Sequence, residues 1–137
     1  MKVSDLMTPK VKTLQRNEML SLAEQLMTLE RIRHLPVLDE DGQLAGIVSQ
    51  RDLFHSGLFR ALGHGKHSAA RVREMLPVKE VMSTDVVTTT RDASLEEAAL
   101  LMFEKKIGCL PVVEKGQLVG ILTEGDFVAH FAGRKGH

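Results

Sequence analysis

The sequence has no tryptophan and no tyrosine, and its only large aromatic residues are five phenylalanines. A core must therefore be built from leucine, valine, isoleucine, alanine and methionine. So few aromatic side chains also argue against a surface on which the bases of single-stranded nucleic acid could stack. The one cysteine, Cys109, excludes a disulfide within the chain.

Net charge and long apolar runs are missing as well. Eighteen basic residues balance eighteen acidic ones, so the chain lacks the positive charge with which proteins bind nucleic acid or anionic membranes. No apolar run approaches the roughly 20 residues that cross a bilayer, and no signal-peptide pattern follows Met1. We therefore expect a cytoplasmic protein without nucleic-acid or membrane partners. Apolar residues still make up 43% of the 137, which is enough for a core.

The chain contains one unit twice. When Val3 is aligned with Val78, nineteen of about 49 positions are identical, with one residue dropped at a turn. The best-matching stretches are Leu35–Val37 with Leu110–Val112, and Gly46–Asp52 with Gly120–Asp126. Because each half alone would bury little apolar surface, the two copies are expected to pack together.

Each copy has the pattern of a β-α-β-β-α unit. The first copy predicts strands at 11–14, 35–38 and 44–48, a helix at about 18–31, and a second helix after Ser49. The second predicts strands at 86–89, 110–113 and 118–122, a helix at about 95–106, and another after Thr123. Ser94 with Glu97 fits a capping box, and Asn17 is the candidate cap in the first copy. The fold class is thus α+β, with two tandem βαββα repeats packed by pseudo-twofold symmetry.

The predicted boundaries follow from this repeat. Residues 1–62 form repeat 1 with an extended second helix, 63–77 a connector, 78–132 repeat 2, and 133–137 a tail. Within and beside the connector, 63–68 fits a turn and 69–76 a further helix that ends before Pro77.

These features resemble the CBS domain pair, also called the Bateman module. Both copies carry an opening Val-x-x-x-Met, a Leu-Pro-Val strand and a Gly-Ile-Val/Leu-Ser/Thr-x-x-Asp segment, in the same order and at the same spacing. The resemblance implies a regulatory module that binds AMP, ADP, ATP or S-adenosylmethionine in clefts between the repeats, with no required cofactor. It also implies a homodimer that tunes a regulated protein, which the sequence does not identify.

Ser49 with Asp52, and Thr123 with Asp126, are the candidate ribose-binding pairs. A carboxylate can accept bonds from both ribose hydroxyls, and a hydroxyl three residues earlier at a helix start can bond a phosphate or ribose oxygen. The same spacing also describes a capping box that only starts a helix. The sequence leaves both interpretations open.

Arg33 and His34 precede the first Leu-Pro-Val strand. The resemblance to CBS domain pairs implies a phosphate site here, because some nucleotide-binding members of that family carry basic phosphate ligands at this place. Arginine suits phosphate through its planar fork of donors, and histidine adds a donor whose charge depends on pH. The alternative is a solvated helix end that favours cations. The second copy has Gly108 and Cys109 here, so the two candidate sites are not equivalent.

The resemblance implies that each site also takes residues from the other repeat. The preferred Asp52 site would add Met82, Thr84, Val86, Ile107 and Gly108. The Asp126 site would add Met7, Pro9, Val11 and Ile32. Because the Asp126 site has fewer basic groups, it would bind a less charged adenosine ligand or stay empty.

Other functions have less support in the sequence. His64 and His67 stand at no recognised zinc spacing, so we expect no metal site. Cys109 is expected to be a small buried hydrophobe. Without a P-loop, a dinucleotide-binding glycine motif or a nucleophile elbow, we expect no enzyme. The alternative to a ligand sensor is a ligand-free scaffold, in which side chains fill the clefts and the fold dimerises and binds a partner protein.

Overall fold

The structure is a computed structural model and describes residues 1–55 and 74–134. In chain order, its elements are α1 (Val3–Leu6), β1 (Thr8–Pro9), β2 (Leu14–Gln15), α2 (Leu20–Glu30), β3 (His34–Leu38), β4 (Leu44–Ser49), α3 (described from 50 to 55), a 3₁₀ turn (Val78–Glu80), α4 (Leu95–Lys105), β5 (Cys109–Glu114), β6 (Gln117–Thr123) and α5 (Glu124–Phe131).

The chain divides into two compact units that do not follow sequence order. One consists of Lys12–Val86 and is called here the Asp52 unit. The other combines Met1–Val11 with Val87–His137 and is called the Asp126 unit. The opening segment of each repeat therefore belongs to the unit that contains the hairpin of the other repeat.

Each unit contains a small three-stranded sheet. In the Asp52 unit the strand order is β2-β3-β4, with β2 parallel to β3 and β4 antiparallel to it. In the Asp126 unit β5 and β6 form the hairpin, and β1 pairs antiparallel with β6. Single bridges complete the correspondence: Ser83 pairs with Ile47 as Thr8 pairs with Ile121, and Thr89 pairs with Val112 as Leu14 pairs with Val37.

Backbone hydrogen bonds hold each opening segment in its unit. The Val3 N–H donates to the Ala93 carbonyl at 2.8 Å, and the Val78 N–H donates to the Glu18 carbonyl at 2.8 Å. Val3 and Val78 are both fully buried in the core of their unit. These contacts anchor the segments that lead to the candidate sites.

An aliphatic and methionine core supports each sheet, as the composition predicts. The two buried clusters are equivalent in design: Val3, Leu6, Met7, Leu95, Ala98, Met102, Leu110, Val112 and Leu122 in the Asp126 unit, and Leu14, Leu20, Ala23, Met27, Leu35, Val37, Val48, Leu53 and Val78 in the Asp52 unit. In both, the apolar stripe of the long helix packs on the inner face of the hairpin.

The predicted helices and hairpins agree with the structure. Helices α2 and α4 begin and end within two residues of the predicted bounds. Gly42 and Gly116 adopt φ of 78° and 79° at the two hairpin turns, a conformation that glycine takes without steric cost. Helices α3 and α5 begin directly after Ser49 and Thr123.

Three local predictions were wrong or incomplete. The first strand of each repeat is shorter than predicted: only Leu14–Gln15 in place of 11–14, and a single bridge at Thr89 in place of 86–89. The N-cap position of α2 is occupied by Met19 rather than Asn17, and no side chain there accepts a hydrogen bond from the first turn of the helix. At α4, Ser94 accepts a bond from the Glu97 N–H at 3.1 Å, but the returning bond of a capping box is absent from the described residues. Helix α1 was not predicted.

The remaining predictions of organisation fall partly outside the described residues. Residues 74–75 are helical, whereas 56–62 of the extended second helix and 63–73 of the connector are not described. The domain boundaries therefore stay predictions. Within 1–55 and 74–134, no helix is long and apolar enough to cross a bilayer.

Candidate functional site

A serine–aspartate or threonine–aspartate pair starts the helix after each hairpin. In the Asp52 unit, the Ser49 N–H donates to Asp52 Oδ2 at 2.8 Å, and the Asp52 N–H donates to Ser49 Oγ at 3.0 Å. In the Asp126 unit, the Thr123 N–H donates to Asp126 Oδ2 at 2.8 Å, and the Asp126 N–H donates to Thr123 Oγ1 at 3.3 Å. Both pairs are thus capping boxes. A ligand could bind the aspartate only through carboxylate lone pairs that the helix cap does not use.

The opening segment of the other repeat passes closely over the last strand of each hairpin. At Gly46 an added Cβ would lie 2.7 Å from the Met82 sulfur and 2.8 Å from the Ser83 carbonyl oxygen. At Gly120 it would lie 2.8 Å from the Met7 sulfur and 2.9 Å from the Thr8 carbonyl oxygen. Glycine at both positions lets the two backbones approach, which brings Ser83 to the Asp52 unit's β4 and Thr8 to β6.

The Asp126 carboxylate is closed off by this arrangement. Its Oδ2 also accepts a bond from the Thr123 hydroxyl at 3.2 Å, and its Oδ1 accepts a longer one from the Thr8 hydroxyl at 3.4 Å. The residue is only 2% exposed. Both carboxylate oxygens therefore have partners within the protein.

The Asp52 carboxylate is more open. It is half-buried, and the backbone cap occupies only Oδ2. No residue in the two described ranges donates a hydrogen bond to Oδ1. Ser83, the counterpart of Thr8, is exposed and makes no side-chain hydrogen bond within the described chain. Within residues 1–55 and 74–134, one oxygen of Asp52 is therefore left to accept a further hydrogen bond.

Arg33 and His34, the first residue of β3, lie beside the start of α3. His34 pairs with Ser49 across the hairpin, and the Gln50 N–H donates to the Arg33 carbonyl at 2.8 Å. Arg33 is exposed and His34 is half-buried. Arg51, in the first turn of α3, is a second exposed cation at this end of the hairpin. This end of the hairpin therefore carries two exposed arginines.

Asp126 has no cation at the positions that correspond to Arg33, His34 and Arg51. Gly108 and Cys109 replace Arg33 and His34, Gly125 replaces Arg51, and Glu124 replaces Gln50. The local backbone is the same, because the Glu124 N–H donates to the Gly108 carbonyl at 3.0 Å and Cys109 pairs with Thr123. The two sites thus share a scaffold and differ in charge.

Cys109 is chemically inert in this setting. Burial of its side chain, and to a smaller extent the negative charge of Glu124, raises the pKa of the thiol to about 12. Because the thiolate is the reactive form, the cysteine stays protonated and unreactive at neutral pH. This agrees with the prediction of a small buried hydrophobe.

The other predicted site residues are divided between the two units. In the Asp52 unit, Thr84 is exposed and Val86 is half-buried. In the Asp126 unit, Pro9 is exposed on β1 and lies opposite Gly120, and Val11 is half-buried. Ile32 packs against the core of the Asp52 unit, and Ile107 against that of the Asp126 unit, with Gly108 next to it. The proposed sharing of Ile32, Ile107 and Gly108 between units stays a prediction.

Sequence reasoning did not single out Thr8, Gly46 and Gly120 as individually important. Thr8 aligns with Ser83, so a hydroxyl recurs at the same point of both repeats. That recurrence was the available signal for a polar contact. In the described part of the chain, no group of three or more histidine, cysteine, aspartate or glutamate side chains could hold a metal ion.

Comparison with known proteins identifies the fold. The family described as CBS domain matches twice, over residues 3–58 and 78–133, and the chain belongs to this family. YhcV of Bacillus subtilis, a CBS domain-containing protein, is 34% identical over 128 residues, which cover 93% of this chain and 84% of that protein. The resemblance and the α+β class with two CBS repeats are thus confirmed.

Solved structures with the same fold include proteins with adenosine ligands. AcuB of Vibrio cholerae is 43% identical, with a TM-score of 0.79 and coverage of 97% of this chain and 91% of that one. The CBS domain pair of protein MJ0100, in complex with 5′-methylthioadenosine and S-adenosylmethionine, is 27% identical with a TM-score of 0.78 and covers 97% of both chains. CBSX2 in complex with AMP is 28% identical with a TM-score of 0.76 and covers 96% of both.

Proposed function

We propose that this chain is a regulatory module that binds an adenosine-containing ligand at Asp52. The candidates are AMP, ADP, ATP and S-adenosylmethionine. The observation that carries the proposal is the half-buried Asp52 carboxylate, whose Oδ1 has no hydrogen-bond donor in the described chain. CBS pairs of the same fold bind AMP, or 5′-methylthioadenosine and S-adenosylmethionine, which supports this class of ligand.

The ribose would be recognised by Asp52. Because Oδ2 is held by the Ser49 N–H at 2.8 Å, the carboxylate is fixed in orientation before a ligand arrives. A ribose hydroxyl that donates to Oδ1 would form a charge-assisted hydrogen bond, which is stronger than a neutral one. The Ser49 hydroxyl can donate to a neighbouring oxygen of the ligand while it accepts the Asp52 N–H.

A phosphate or the positive sulfonium of S-adenosylmethionine would be distinguished by the charges nearby. Arg33 and Arg51 are exposed next to the start of α3, and the guanidinium fork suits phosphate oxygens. These cations favour AMP, ADP and ATP over a cationic ligand. Met82, packed against Gly46, offers an apolar and deformable contact for the adenine ring.

Thermal unfolding with added ligand tests the proposal. A ligand that binds only the folded protein at 100 times its Kd stabilises it by about 2.7 kcal/mol, which raises Tm by roughly 5–15 °C in a protein of this size. AMP, ADP, ATP and S-adenosylmethionine would each be titrated. At least one is expected to raise Tm with concentration.

The Asp52→Asn variant makes the test specific to the site. The amide oxygen can still accept the Ser49 N–H, so the helix cap is preserved while the negative charge is lost. The ligand-induced rise in Tm is expected to be clearly smaller in this variant at the same ligand concentration, because the ligand binds less tightly. It should persist in Asp41→Asn, which makes the same change at an exposed turn of the same unit. An unchanged Tm of the wild-type protein with all four ligands would contradict the proposal.

Exposed apolar side chains favour a second candidate function, a homodimeric scaffold for a partner protein. Four apolar side chains are more than half exposed on helices of the Asp126 unit: Leu100, Phe103, Val128 and Phe131. Isolated exposed apolar residues are ordinary, but Phe103 on α4 and Phe131 on α5 are both more than four-fifths exposed, which favours an interface. Light scattering tests for the homodimer.

The proposal also includes a cytoplasmic location, where the single cysteine would stay reduced.

A further inference from the structure

We infer that Thr8 turns the Asp126 pair into a structural clamp, so that each chain binds one adenosine ligand, at Asp52 alone. This inference rests on the proposed function and narrows it. The two hydroxyl–aspartate pairs look alike in the sequence, because each has the spacing of a capping box and each follows the corresponding strand of its repeat. The structure separates them through Thr8, in the opening segment of repeat 1.

The first argument concerns acceptor capacity. Asp126 Oδ2 accepts bonds from the Thr123 N–H and hydroxyl, and Oδ1 accepts one from Thr8. A ribose would have to displace Thr8 from a carboxylate that is 2% exposed, and that exchange gains no hydrogen bond. At Asp52 no exchange is needed, since the corresponding Ser83 side chain is exposed. Binding at Asp52 adds a bond, whereas binding at Asp126 only replaces one.

The second argument concerns charge and is independent of the first. A nucleotide phosphate near Asp126 would approach Glu124, with no arginine at the positions that correspond to Arg33 and Arg51. Glu124 disfavours this approach through its like charge, whereas Arg33 and Arg51 favour it at Asp52. The charges at the hairpin end therefore agree with the hydrogen bonds, whereas Lys10 and Asp85 in the two opening segments carry the reverse charges.

The clamp also has a structural consequence. The Thr8 hydroxyl links the opening segment of repeat 1 to helix α5, which belongs to repeat 2. Removing the hydroxyl leaves a buried carboxylate oxygen with one bond fewer, and such a loss destabilises a fold. Thr8→Val keeps the shape of the side chain and removes only the donor. Its Tm is expected to fall, whereas Ser83→Ala at the equivalent, exposed position should change Tm little.

Equilibrium dialysis of the full chain against AMP, ADP, ATP and S-adenosylmethionine, each separately, measures the stoichiometry. We expect one equivalent per chain at saturation for each ligand that binds. Asp52→Asn should weaken Kd at least about tenfold, because a hydrogen bond to a charged group is lost. Asp126→Asn should leave the stoichiometry unchanged and Kd within about twofold, while its Tm falls.

The outcomes distinguish this inference from the proposed function. Two equivalents per chain, or loss of binding in Asp126→Asn at a temperature where the variant is folded, would overturn the single site and leave the ligand class standing. Should Asp126→Asn fail to fold, Thr8→Val provides the test, since the inference requires a lower Tm with one equivalent still bound. No binding of any of the four ligands to the wild-type protein would overturn both.

Discussion

The Met82 side chain lies directly over Gly46, so close that a Cβ atom on the glycine would be 2.7 Å from the methionine sulfur. The Ser83 carbonyl oxygen is 2.8 Å from the same position. A methionine side chain could move aside, but the backbone carbonyl could not without shifting the opening segment of repeat 2. This contact positions the segment against β4, the strand that leads to Ser49 and Asp52.

Gly46→Ala is therefore expected to destabilise the protein. Overpacking of this kind costs about 1–3 kcal/mol, because the backbone of the opening segment has to shift. Urea denaturation measures the free energy of unfolding. Gly125→Ala is the matched control, since its added Cβ would meet only Thr123 Oγ1 at 3.5 Å and alanine favours a helix by about 0.5–1 kcal/mol. Equal effects of the two substitutions would contradict the close approach.

Capping of the two long helices differs, and mutation should show it. Ser94→Ala removes the bond to the Glu97 N–H and is expected to cost about 1 kcal/mol of the unfolding free energy. Asn17→Ala should cost less than about 0.5 kcal/mol, because Asn17 is exposed and does not cap α2. Chemical denaturation of both variants checks this, and a larger loss for Asn17→Ala would show that the cap is assigned wrongly.

Cys109 should react with a thiol reagent only when the protein unfolds. Its thiol pKa is raised from 9.0 to about 12, mainly by burial, so the folded state favours the protonated form. Stability from this group is fully present below pH 9 and is lost as pH rises towards 12, because the unfolded thiol ionises first. Alkylation followed by mass spectrometry, with and without urea, measures the reactivity. Rapid alkylation of the folded protein at pH 7 would contradict the burial.

Arg33 should affect ligands with a phosphate and spare those without one. Arg33→Gln is expected to weaken AMP binding about two- to fivefold, as befits an exposed ion pair, and to leave binding of 5′-methylthioadenosine unchanged. Arg31→Gln is the matched control, because Arg31 is equally charged and exposed but lies at the end of α2. Fluorescence competition or dialysis measures both ligands. A similar weakening with both ligands would argue against a phosphate contact.

Features that depend on local sequence were predictable. Alternating strands, the glycines with positive φ at the hairpin turns, and the helix that follows Ser94 all follow from residues close to one another in the chain. The internal duplication allowed the fold class to be predicted, because it showed that one βαββα unit occurs twice. The two aspartates and their hydroxyl partners were found in the same way.

Features that depend on distant residues were not predictable from local patterns. The run of β-branched residues at 86–89 indicates an extended chain, but a strand also needs a paired neighbour, and only Thr89 has one. The start of α2 is held by a distant residue, because the Leu20 N–H donates to the Leu76 carbonyl at 2.9 Å. The difference between Asp52 and Asp126 arises from Thr8, which is 118 residues away from Asp126 in sequence.

Nuclear magnetic resonance of the ¹⁵N-labelled protein, titrated with AMP and separately with S-adenosylmethionine, tests ligand binding at Asp52 most directly. The backbone amide signals of Ser49, Gln50, Asp52 and Ser83 are expected to move in a saturable way with at least one of these ligands. The signals of Thr123, Glu124 and Asp126 should stay in place. Saturable movement confined to the Asp126 group, or no saturable movement with either ligand, would contradict the account.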